Sequence, residues 1–138
     1  MASAEDQANW HWAEGIKFAL EGVKLLFLLN GAASVAVLTF IGNMRVGSGL
    51  LVGALIAFAL GAASVIPAMI FAYLTQLHYG NAELSQQYHF SIWRSAVNFH
   101  YWAYAFMALG LLCFLVGVAL AACGLWHVPP VNLCPPLK

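Results

Sequence analysis

The charges of this chain are placed so that long stretches carry none, and that placement constrains the fold more than any other feature. Residues 25–44, between Lys24 and Arg45, contain no charged side chain. A second uncharged run follows Arg45 and reaches Ala82, most apolar at 50–74, and a third follows Arg94, centred on 102–125. A hydrocarbon core of roughly 30 Å is crossed by about 20 helical residues. Backbone N–H and C=O groups in lipid must be satisfied within their own segment, so such runs are helices. The sequence therefore predicts an all-α, polytopic integral membrane protein forming a single membrane domain. Its three transmembrane helices are expected at 25–44, 50–75 and 102–125. Only 7% of the residues are charged and 63% are hydrophobic, against about 25% charged in a soluble domain, so the expected partner of most of the surface is the lipid bilayer. Five Lys/Arg balance five Asp/Glu, leaving no basic field to hold nucleic acid.

Residues 4–24 are expected to form an amphipathic helix at the membrane interface. Glu14, Lys17, Glu21 and Lys24 would each cost roughly 2.5–3.5 kcal/mol at the bilayer centre, too much for a fourth span. With Gln7 and His11 they recur every three or four residues as one polar stripe, beside Trp10, Trp12, Ile16 and Phe18. No strong breaker separates this segment from the first span, so the helix should run on into it. Two acids and two tryptophans precede the apolar stretch, unlike the basic start of a cleavable signal peptide. Residues 76–100 read as a polar and aromatic connection, partly helical, with Asn81 as a cap for a helix starting near Ala82. Residues 126–138 form a Pro-rich tail that cannot continue the third helix.

Lipid tails are as apolar as leucine, so spans associate through close packing and buried polar contacts. The second span carries Gly49, Gly53, Ala57 and Gly61 at four-residue steps, a small-residue face along one side. The third carries Ala103, Gly110, Gly117 and Gly124 at seven-residue steps, with Ala121 four after Gly117; seven is the period of a left-handed supercoil. These faces offer contact surface to a homo-oligomer or a larger membrane complex. The plainer alternative is that they meet inside one three-helix monomer. Gly-Ala-Ala-Ser-Val occurs at 31–35 and again at 61–65, an echo that packing of small residues explains as well as duplication does. Pro67 should kink the second span and free the carbonyl near Ala63, which Ser64 could help to satisfy.

Asn30, Ser34 and Ser64 are read as intramembrane polar residues, and Asn30, the clearly polar amide at that depth, is expected to serve as interhelical glue. His78 and His100 lie where the second and third spans end at one membrane face, and two histidines on neighbouring helices can ligate a haem iron. Tyr79, Tyr88, Tyr101 and Trp102 around them equally describe an interfacial aromatic belt, and no haem or other cofactor is expected. Cys123 and Cys134 flank the exit of the third span and could form a disulfide in an oxidising compartment, whereas Cys113 lies within lipid depth. No hydrolase, phosphate-loop, dinucleotide or zinc-protease pattern occurs, so the chain is not expected to be an enzyme. Lys17, Lys24 and Arg94 on one side outnumber Arg45 and Lys138 on the other, which places the N-terminus in the cytoplasm and the tail outside. Three functions fit this reading: a self-associating membrane protein able to line a pore, an accessory subunit of a larger membrane complex, and a small b-type haem electron carrier.

Overall fold

A computed structural model describes residues 4–44, 48–84 and 89–127. They form four helices: α1 (Ala4–Met44), α2 (Gly49–Ala63), α3 (Val65–Leu84) and α4 (His89–Trp126). Only Ser64 separates α2 from α3, so these two are halves of one broken limb. The result is three rods, of which Trp10–Asn43, Gly49–Ala82 and Phe90–Trp126 are long and apolar enough to cross a membrane. Each is about 50 Å long at about 1.5 Å per residue, longer than a hydrocarbon core, so every rod tilts or extends beyond it.

The element bounds differ from the sequence expectation in two places. A separate interfacial helix over 4–24 is not supported: α1 is one unbroken, largely apolar helix of 41 residues. Nothing interrupts it, because Gly15 and Gly22 merely face open space and break no hydrogen bond. The connection expected over 76–100 is also helical on both sides, with α3 continuing to Leu84 and α4 beginning at His89. Asn81 and Ala82 therefore lie inside α3, and Asn81 does not start a helix. The tail from 128 onward, including Cys134, lies outside the described residues.

α4 packs along the whole α2–α3 limb, whereas α1 rests mainly on α2 and scarcely meets α3. The limb and α4 form an antiparallel hairpin whose seam is built from small residues. Ala54, Ala68, Thr75 and Ala82 are buried on the limb, with Gly61 completing a seven-residue repeat. Ala96 and Ala103 continue on α4 into Gly110, Gly117 and Gly124, again at sevens. Seven residues keep one face of each helix turned toward the other in a left-handed pair. Leu51 lies against Gly124, Phe58 against Gly117, and Ser64 against Gly110. Further along, Phe71 stacks on Phe99 and Phe106, and Tyr79 meets Trp93. Each step up one helix is matched by a step down the other, so the register survives the break at Ser64.

Pro67 has no N–H for the carbonyl of Ala63, and the helix breaks just upstream. Ser64 N–H still donates to Leu60 O at 2.9 Å, and Ala68 N–H donates to Ser64 O at 3.3 Å. The Ser64 hydroxyl donates to Gly61 O at 2.8 Å. It therefore satisfies a carbonyl one half-turn earlier than the one near Ala63 that the sequence suggested.

Candidate functional site

The most polar point at membrane depth is the place where α1, α2 and α4 meet. Asn30 reaches it from α1 and is completely buried. Its Nδ2 donates to Leu26 O at 3.0 Å, on its own helix, and to Gly110 O at 3.4 Å, on α4. Its Oδ1 occupies the space where a side chain on Gly61 would begin, and finds no hydrogen-bond partner. The amide nitrogen faces two carbonyls, so the amide cannot be flipped to bring Oδ1 to a donor. The neighbour left to Oδ1 is the Cα–H of Gly61, a weak donor of the kind common where helices approach closely.

This node depends on two missing side chains. A Cβ on Gly110 would lie 2.6 Å from Ser64 Oγ and 2.9 Å from Leu26 Cδ2, and a Cβ on Gly61 would overlap the Asn30 amide. Leu26 and Val23 are the other buried side chains of α1 among the described residues. Together with Asn30 they make a short stripe that fixes the helix to the hairpin. The node holds no ionisable group and no hydroxyl paired with a base. What it can do is clamp α1 in place.

The small-residue faces separate into two kinds. Gly61, Gly110, Gly117 and Gly124 are buried within the chain, and a Cβ on Gly117 would lie 2.7–2.9 Å from the Phe58 ring. Gly49 faces open space, and a Cβ on Gly53 would make ordinary contact with Leu120 at 3.5 Å. Ala57 and Ala121 are half-buried, as is Ser34. Gly53 and Ala57 border a shallow apolar groove with Leu112, Cys113, Val116 and Leu120. The four-residue ladder of the second span is therefore not one continuous contact. Its Gly61 end is buried against α1 and its Gly49–Ala57 end is open.

The two candidate haem ligands make separate local contacts. His78 Nδ1–H donates to Leu74 O at 2.8 Å, and its ring lies 4.9 Å from Phe99. His100 packs edge-on against Tyr104 at 4.4 Å. His78 is seven residues from Phe71, and so belongs to the flank of the seam that holds Phe99 and Phe106. His100 is seven from Trp93 and belongs to the opposite flank, with Tyr79. Among the described residues no group of three or more His, Cys, Asp or Glu is placed to hold a metal ion. Cys113 and Cys123 are free thiols, and the proposed partner Cys134 lies outside the described residues. His127 Nδ1–H donates to Cys123 O at 2.7 Å.

Sequence reasoning found Asn30 and most of the glycines but missed Thr75, which is buried and donates to Phe71 O at 2.8 Å. It also missed the repeat of small residues on the limb from Ala54 to Ala82. The signal was a spacing of seven that spans the proline, obscured by the more conspicuous spacing of four. The fold and this node define a class, an all-helical module of three long apolar helices, each able by length and composition to cross a membrane, built on a glycine- and alanine-lined hairpin. Comparison with known proteins yields no matching family, no matching curated relative and no matching solved structure.

Proposed function

We propose that this chain is a small, non-enzymatic integral membrane protein that self-associates in the bilayer and acts through its surfaces rather than through a reacting group. The observation that carries this reading is the uneven use of small residues. Four glycines are buried inside the chain, while Gly53 and Ala57 line one open groove and Gly31 and Ala32 another. Backbones can approach closely at such places, and dispersion and Cα–H···O contacts then hold helices together in lipid. The polar side chains at depth support a non-enzymatic role, since Ser64 and Thr75 donate to carbonyls of their own limb and Asn30 joins helices. A pore between copies would be narrow and apolar, because the spans offer few polar groups to line it.

Mild-detergent sizing of the intact protein, alongside cross-linking in native membranes, tests this reading. A defined homo-oligomer supports it. A species containing other chains favours the accessory-subunit reading, and a monomer in both measurements overturns self-association. Orientation is tested separately. A reporter after Lys138 should be active outside the cytoplasm and one inserted near Gly80 should report the cytoplasm; reversed signals overturn the orientation, and matching signals overturn three spans. Purified protein from haem-replete cells should lack a Soret band. A stoichiometric band lost in both His78→Ala and His100→Ala would establish the electron-carrier reading instead.

A further inference from the structure

The N-terminal part of α4 carries a polar stripe on the side turned away from the hairpin seam. Ala96 and Ala103 are buried in that seam. Arg94 and Tyr101 each precede one of them by two residues, about 200° around a helix, and so lie on the opposite side. Ser91, Arg94, Asn98 and Tyr101 follow one another at steps of three and four, and all are exposed. Ala105, Ala108, Leu112 and Leu115 continue the same line, exposed and wholly apolar. The cation of this stripe is not neutralised by the chain. Among the described residues Arg94 makes no ion pair or hydrogen bond, and the Asn98 side chain makes no hydrogen bond. The lysines of α1 differ, since Lys17 is held by Glu14 at 2.6 Å and Lys24 by Glu21 at 2.7 Å.

We propose that this stripe binds the phosphate of an anionic phospholipid, whose acyl chain lies along Ala105, Ala108 and Leu112. Guanidinium, amide and phenol present N–H and O–H donors about one turn apart, a set that suits phosphate oxygens, and Arg94 favours bidentate contact with them. The stripe itself carries no carboxylate to repel an anion. Position selects a lipid over free phosphate. Tyr101, Trp102 and Tyr104 are exposed where the long apolar stretch of α4 begins, the level that interfacial aromatic side chains take up. Asn98 and Arg94 lie about one and two turns outside that level, on the headgroup side. An amphiphile alone meets donors there and apolar residues further along the same line. A zwitterionic headgroup brings its own cation, so a lipid of net negative charge is preferred. One copy suffices for this contact, which therefore does not depend on self-association.

Native mass spectrometry of the full-length protein, equilibrated with equal amounts of phosphatidylglycerol and phosphatidylcholine, tests this. The wild type should retain phosphatidylglycerol in preference. Arg94→Gln should lower that preference about fivefold, the scale of one basic side chain at an anionic surface, with abundance unchanged because the position is exposed. Asn98→Ala should lower it about threefold, as for one lost hydrogen bond. Glu21→Gln with Lys24→Gln, which removes a neutral pair from α1, should leave it as it is, and inorganic phosphate should not displace the lipid. An unchanged preference in Arg94→Gln would overturn the site, as would an equal loss in the α1 variant, which would point to general surface charge. A wild type without preference that gains one in Glu83→Gln would show Arg94 neutralised within the chain. Displacement by inorganic phosphate at matched concentration would overturn the lipid as occupant. Loss of an oligomer in Arg94→Gln with lipid retention intact would give the stripe to a second copy instead.

Discussion

The hairpin and α1 are made of similar residues and are held in different ways. Along the hairpin, close approach is continuous: a small residue recurs at every seventh position of both helices, and large neighbours such as Phe58 and Leu51 fill the space it leaves. α1 is fully buried against this unit only along a short stripe, Val23, Leu26 and Asn30, among its described side chains. N-terminal to Val23, Trp10, Trp12, Ile16 and Phe18 are exposed. In lipid, exposure of a leucine or a phenylalanine carries no penalty, so apolar character does not draw helices together. Shape and hydrogen bonding do. The hairpin has the shape, and α1 has a single polar anchor. The more a helix relies on one anchor, the more of its surface stays available to another chain.

Substitutions can break this contrast or sharpen it. The largest effect is expected on the seam. Gly110→Leu and Gly117→Leu insert bulk where Ser64, Leu26 and Phe58 already stand, and should destabilise by about 3 kcal/mol or more. They should be lost from the membrane fraction or aggregate on purification. Retention at normal abundance would mean that the hairpin is not closely packed. Asn30→Ala should be milder, about 1–2 kcal/mol, the range for an interhelical polar contact in a membrane. The hairpin should survive and α1 should loosen, read as faster labelling of a cysteine introduced at Leu26. Gly22→Ala meets open space in the middle of α1, so it should stabilise the helix by about 0.5–1 kcal/mol, read as a higher unfolding temperature in detergent. Gly53→Leu should have the smallest effect on folding, within about 0.5 kcal/mol, because that position borders an open groove. A collapse in its abundance would show that the Gly49–Ala57 face is covered within the folded chain.

Much of this architecture was legible in the order of residues. The number of apolar rods follows from where charges are absent, since each charge at the centre of the hydrocarbon costs roughly 2.5–3.5 kcal/mol and clustered charges add up. Asn30 was visible as the amide in the interior of the first uncharged run, Asn43 lying at its end, and the heptad of Gly110, Gly117 and Gly124 as a supercoil period. The helix ends were less legible. Aromatic and polar residues at 76–100 suggested a connection, yet Gly80 and Asn81 are tolerated inside α3 because packing against α4 outweighs their weak helical preference. Tyr79, set against Trp93, is part of that packing.

The sequence by itself determined that the chain forms three long apolar helices, because backbone polar groups in lipid must be satisfied by a helix or a closed barrel, and uncharged runs of about 20 residues or more suit a helix rather than a barrel strand. Only the tertiary structure decided how the small residues are divided. A glycine in a helix looks the same in sequence whether it admits a neighbour's ring, as Gly117 admits Phe58, or faces open space, as Gly49 does. That difference lies in the rotation and register of the helices relative to one another. It depends on contacts between residues far apart in the chain, such as Asn30 with Gly61 and Gly110, which no local spacing encodes.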